Sequence, residues 1–165
     1  MIRFFIIMAL VVVGDQLTKL WILDNFALYD SRVIIPGFFN LTFLRNSGAA
    51  FGILSGMPLL WRQIFFISIA VVALVALVLM QRKMGKENAW YTLCFALIGG
   101  GAVGNVIDRV LYGSVVDFLD FYVKGYHWPA FNVADSGILV GVTIFLVLQI
   151  LEGDGEEKQK EEKPV

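Results

Sequence analysis

Four long runs almost free of charge constrain this chain more than any other feature: about Phe4 to Leu23, Ile64 to Met80, Ala89 to Leu111 and Ala134 to Leu151. In hydrocarbon no water can satisfy an exposed backbone, so a spanning segment must pair its own N–H and C=O groups, and as a helix it needs roughly 20 apolar residues. Each run is near that length. The chain is therefore expected to be a membrane all-α bundle of four transmembrane helices. Hydrophobic residues make up 58% of the sequence and charged ones 16%, a balance that a soluble domain does not need to fill one core. The first run follows Met1, Ile2 and Arg3 directly and could be mistaken for a secretory signal. Its length, its Asp15 and Lys19, and the lack of a small-residue cleavage site after it make it a retained anchor.

Between the second and third runs lies Gln81 to Asn88, which carries Arg82, Lys83 and Lys86, and Arg3 precedes the first run. Short basic loops stay in the cytoplasm, so both termini are expected there, with residues 152–165 as a disordered cytoplasmic tail after a single membrane-embedded domain, 1–151. The connections Asp24 to Gln63 and Tyr112 to Val133 then lie outside. Trp21, Trp61, Trp90 and Trp128 all fall near run ends, where the amphipathic indole prefers the headgroup layer. Within the outer segment, about 24–63, the β-prone runs Val33 to Ile35 and Phe38 to Leu44 flank Pro36 and Gly37. That pattern predicts a small extracytoplasmic β-sheet or hairpin, on the membrane surface or over the bundle. The net charge of −1 argues against a nucleic-acid partner, and Cys94, the single cysteine, reads as helix packing.

Ionisable groups inside a span are costly unless paired or wetted, so each calls for a reason. Asp15 and Lys19, four residues apart, share a helix face and suit an ion pair turned into the bundle. In the third run, Gly100 and Gly104 have the small-xxx-small spacing that lets another helix approach closely. Asn105 and Arg109 share a face just beyond, while Asp108 and Arg109 read equally well as the point where a helix leaves the membrane. Asp117 and Asp135 belong to the outer ends of consecutive helices. Taken alone, Asp135 is best read as part of a capping box with Asn132, and Asp117 as a loop aspartate whose neighbours Val115, Val116 and Phe118 suggest burial. If the two carboxyls meet, they cannot both ionise near neutral pH. The helix dipole then favours Asp135 as the carboxylate and leaves the proton on Asp117. Such a pair can activate water against an amide carbonyl.

Five blocks stand in order: Gly14-Asp15-Gln16-Leu17-Thr18-Lys19, Arg45-Asn46-Ser47-Gly48-Ala49-Ala50-Phe51-Gly52, Gly101-Ala102-Val103-Gly104-Asn105-Val106-Ile107-Asp108-Arg109, Val116-Asp117-Phe118, and Phe131-Asn132-Val133-Ala134-Asp135. Together they resemble the bacterial lipoprotein signal peptidases, signal peptidase II. The resemblance implies an aspartyl endopeptidase, multi-pass in the bacterial inner membrane, with its active site near the outer leaflet. It would remove signal peptides from diacylglyceryl-modified prolipoproteins by cutting before the lipidated cysteine. Asp117 and Asp135 match the catalytic pair; Asn46, Asn105, Arg109 and Asn132 match polar residues around it, and Asp15 a supporting position. The resemblance further implies membrane lipids as partners, a monomer, and no metal or cofactor. One rival is a small proton-coupled transporter with Asp15, Asp108, Asp117 and Asp135 as relay sites, weakened by the absence of paired broken helices. Others are a serine protease built on the sole histidine, His127, with Ser47 or Ser136, and a scaffold that leaves the outer polar cluster unexplained.

Overall fold

The computed structural model describes residues 1–48, 54, 56–86 and 88–161, with 154–161 as backbone alone. Its helices are α1 (Ile2–Asn25), α2 (Leu59–Met84), α3 (Ala89–Tyr112) and α4 (Val133–Glu161). All four are long and apolar enough to cross a membrane, α4 through its segment Val133–Gly153. The four-helix expectation holds, with longer ends than the apolar runs suggested. Arg82 and Lys83 lie in the last turn of α2 instead of a loop, because cations suit a helix C-terminus and their long stems reach past the apolar layer. α4 continues through Glu161, so the tail expected to be disordered begins as helix. Glu156 to Lys160 are residue types with good intrinsic helix propensity, which the polar composition concealed. Residues 162–165 lie outside the described residues.

The predicted sheet exists and is larger than predicted. Strands β1 (Ser31–Ile35), β2 (Phe39–Asn46), β3 (Val115–Val123) and β4 (Tyr126–His127) form an antiparallel sheet in the order β1-β2-β3-β4. The β1–β2 hairpin turns at Pro36 and Gly37, where φ of +77° needs glycine. The connection Tyr112 to Val133, read as a loop, supplies the other half of the sheet. Its β-branched and aromatic run from Val115 to Val123 is strand-forming, and Lys124 and Gly125, both at positive φ, make the two-residue turn that a right-twisted hairpin favours.

Helix α3 is the central post. A Cβ at Gly100 would meet Val11 and the Met8 carbonyl of α1, and one at Gly101 would meet the Ala134 carbonyl of α4. Apolar side chains gain little by leaving lipid, so this close backbone approach is what packs the helices. It also brings Asp15 and the start of α4 to the same level of α3. At the other end of the bundle, Phe4, Leu77, Tyr91, Cys94, Phe95 and Ala96 form an apolar core. A second cluster, Ile22 and Phe26 against Phe43, Val116 and Phe118, seats the sheet on the end of α1.

Candidate active site

The lower layer of the site is ionic. Lys19 Nζ lies 2.8 Å from Asp15 Oδ2, the pair that their spacing suggested, and also 3.0 Å from Asp108 Oδ2. It donates a third bond to Asn105 Oδ1 at 3.0 Å. Gln16 Nε2 joins the two carboxylates, donating to Asp15 Oδ2 at 3.1 Å and to Asp108 Oδ1 at 3.0 Å. Asp108 is fully buried, which overturns its reading as a mark of helix exit: a charge removed from water must be paired, and here it is. Both carboxylates also hold backbone. Asp15 Oδ1 accepts the Ala134 N–H at 2.9 Å, and Asp108 Oδ2 accepts the Val116 N–H at 2.9 Å.

Those two amides precede the two aspartates of the upper layer. α3 ends at Gly113, in the left-handed conformation that lets its N–H return to the Arg109 carbonyl at 3.0 Å. The chain then enters β3, where Val116 pairs with Arg45 and Val115 with Asn46 of β2. Alternation along the strand puts Asn46 diagonally beside Asp117 on one face. On α4, Asn132 Oδ1 accepts the Asp135 N–H at 2.9 Å, while Asp135 Oδ2 accepts the Asn132 N–H at 3.2 Å. This reciprocal pair is the predicted capping box. It does not compete with a second role, because Asp135 Oδ1 remains free to take a 2.7 Å bond from Asn105 Nδ2. Asn132 then links the two acids, since its Nδ2 donates to Asp117 Oδ1 at 2.8 Å.

Asp117 and Asp135 line one cavity of about 310 Å3 with Asn46, Gly48, Asn105 and Arg109, and its far wall is Val115 and the segment from Trp128 to Phe131. Asn132 is fully buried behind the pair, and Asp15 lies below it. Arg109 donates to the Gly48 carbonyl at 3.3 Å and to the Asn105 carbonyl at 3.3 Å, with its guanidinium 4.4 Å over the Phe66 ring. Burial pushes the Asp117 carboxyl up to about 7, and the neighbouring Asp135 carboxylate adds to the shift, against hydrogen bonds from Asn46 and Asn132 that oppose it. Near neutral pH, Asp117 is thus a group that can hold or release a proton. Among the described residues, no three His, Cys, Asp or Glu side chains converge as a metal site would require. His127 turns its Nδ1 to Asp120 Oδ1 at 2.8 Å and stacks on Tyr122, while the Ser136 hydroxyl donates to the Asn132 carbonyl at 2.9 Å. Neither is placed to activate the other.

The signal peptidase (SPase) II family profile matches residues 7–151. This chain belongs to the signal peptidase II family. It is 44% identical over 161 residues to the lipoprotein signal peptidase of Syntrophus aciditrophicus, covering 98% of this chain and 96% of the relative. The Oleidesulfovibrio alaskensis lipoprotein signal peptidase is 48% identical over 142 residues, with 84% and 90% covered. A bacterial membrane enzyme solved by the in meso method at 2.3 Å resolution superposes with a TM-score of 0.83 at 40% identity, over 98% of this chain and 93% of that one. As a signal peptidase II, the chain is an aspartic-type peptidase, and its four spans make it a multi-pass inner-membrane protein. The relay-site reading of a transporter is not favoured.

All seven residues marked out in the sequence gather at this end of the signal peptidase II bundle. Ala49, Ala50, Phe51 and Gly52 of the second block lie outside the described residues. One part of the site was missed. The wall from Trp128 to Phe131 belongs to the connection Tyr112 to Val133, whose strand signal was present in Val115 to Val123. The partnership of Asp108 with Lys19 had no local signal, because it joins helices distant in sequence.

Proposed function

We propose that this signal peptidase II cuts prolipoproteins immediately before a diacylglyceryl-modified cysteine, with Asp135 as base and Asp117 as acid on one water. The carrying observation is that both carboxyls line one cavity and are bridged by Asn132. Asp135, in the first turn of α4, has the dipole and the Asn105 amide in favour of its ionised form. Asp117, pushed up to about 7, is suited to keep the shared proton.

In the first step the Asp135 carboxylate takes a proton from water as its oxygen bonds to the scissile carbonyl carbon, and Asp117 gives its proton to the carbonyl oxygen. A neutral tetrahedral diol results. In the second, Asp117 recovers a proton from one hydroxyl, Asp135 protonates the amide nitrogen, and the C–N bond breaks. The products are an acid and an amine, and the pair returns to its starting protonation. Asn46, Asn105 and Asn132 hold the two carboxyls by amide donors. Arg109 fixes the Gly48 carbonyl at the cavity rim, and Asp15 anchors the start of α4.

Arg3, Arg82, Lys83 and Lys86 assign the opposite end of the bundle to the cytoplasm by the positive-inside rule. Both termini then face the cytoplasm and the site opens near the outer leaflet. Exposed Val33, Ile34, Ile35 and Phe38 on the first hairpin suit contact with membrane lipid.

The test is purified enzyme with a diacylated and an unmodified precursor. The diacylated one should be cut and the unmodified one spared; equal cutting of both removes the lipid from the specificity. His127→Ala should retain cleavage, and its loss would reopen the serine-type reading.

A further inference from the structure

A lysine ammonium has three N–H donors and no acceptor. Lys19 is 2% exposed, and its donors go to Asp15, Asp108 and Asn105. Each recipient leads to the acid pair by one further bond. Asp15 holds the N–H of Ala134, the residue before Asp135, and Asp108 holds the N–H of Val116, the residue before Asp117. Asn105 reaches Asp135 itself.

The third path carries chemical information. An amide presents an acceptor on one side and donors on the other, and a side chain that can only donate selects which side it meets. Facing Lys19, Asn105 must show its oxygen, so its nitrogen is turned to Asp135. Asn132 Nδ2 also approaches Asn105 Oδ1, at 3.3 Å, but its two hydrogens are shared with Asp117 Oδ1 and the Val116 carbonyl. Gln16 bridges both carboxylates and gives the backbone anchors a second tie, yet it makes no bond to Asn105. We infer that Lys19 is a positioning residue for the peptidase reaction: its ammonium sets the orientation of the Asn105 amide, so that a donor and not an acceptor meets Asp135. This rests on the proposed roles of Asp117 and Asp135.

Lys19→Met alone strands two buried carboxylates and invites misfolding. The double substitution Lys19→Met with Asp108→Asn keeps the cluster's net charge. The new amide can keep its oxygen on the Val116 N–H, and Asp15 keeps the Ala134 N–H, so both backbone anchors persist while Asn105 Oδ1 loses its ammonium. In this variant, kcat for a diacylated precursor should fall roughly a hundredfold, as for a misplaced reacting group. KM should stay within about twofold, because Lys19 does not line the cavity. The acid limb of the kcat/KM profile should move to higher pH, since the donor lost from Asp135 disfavours ionisation of the pair while the paired charges of Lys19 and Asp108 leave together. The charged groups around that pair are Asp15 and Lys19 of α1, Asp108 and Arg109 of α3, and Arg62 of α2 acting on Arg109, while Arg45 of β2 is turned to Phe43 and Tyr112. Folding is checked by thermal unfolding in detergent. A folded double variant with wild-type kcat and an unmoved acid limb would reduce Lys19 to scaffolding and overturn the inference. Asp135→Asn runs alongside: if it still cuts, the acid-pair reading itself fails, a separate result.

Discussion

Four aspartates share one hydrogen-bond network in this molecule, in two layers that behave oppositely. Asp15 and Asp108, in the lower layer, divide a lysine ammonium and are closed from solvent. Asp117 and Asp135, in the upper layer, have amide donors in place of a direct cation and face a cavity. The difference lies in the partners. In the lower layer a buried cation pairs with each carboxylate directly. Neutral amide donors orient a carboxylate and stabilise its charge by about 1.5–3 kcal/mol each. Raising Asp117 from 3.8 to about 7 corresponds to about 4 kcal/mol against its ionised form, so burial and the neighbouring acid outweigh the amides. One residue type thus serves as an anchor below and, in the proposed reaction, as a proton carrier above.

The strongest way to break this comparison is to neutralise the upper layer. Asp117→Asn and Asp135→Asn should each lower turnover of a diacylated precursor by roughly 10²–10⁴-fold, while the protein stays folded and inserted. Near-normal turnover in either variant would erase the distinction between the layers. The lower layer should fail differently. Asp108→Ala takes a partner from Lys19 and leaves the Val116 N–H without its acceptor, so about 3–5 kcal/mol of stability should be lost, read by thermal unfolding in detergent. A folded, stable Asp108→Ala protein would mean that the ionic layer anchors nothing.

Much of this arrangement was legible in the residues, for reasons that differ by element. The helices were, because bilayer thickness sets the length of an apolar run. Their ends were less so: basic residues such as Arg82 and Lys83 continue a helix past the hydrocarbon. Strand β3 was read as loop because its pairing partner, β2, lies far away in sequence, and a near-continuous apolar run at a helix exit does not alternate as a half-exposed strand would. At the site, Asp135 invited two readings, cap or acid, that proved compatible because its two oxygens divide the work. Asp108 is the instructive miss. A charged residue near the end of a helix looks the same whether it meets water or a lysine from another helix, and only packing decides.

The finest test of the two layers needs no substrate. An unfolded Asp117 ionises near its ordinary 3.8, whereas the folded one does so at about 7. Below 3.8 the group is protonated in both states and favours neither. Between the two values the unfolded chain has released a proton that the folded protein still holds, so stability falls as pH rises through this window and levels off above about 7. Asp117→Asn removes that dependence. Its melting temperature should match the parent near pH 4, gain on it steadily up to pH 7, and keep a constant lead above, with about 4 kcal/mol as the upper bound. Because the Asp135 carboxylate contributes to the shift, an Asp135→Asn background should narrow the lead. A lead that does not vary with pH would mean that Asp117 ionises as freely in the fold as in water, and the upper layer would hold no shared proton.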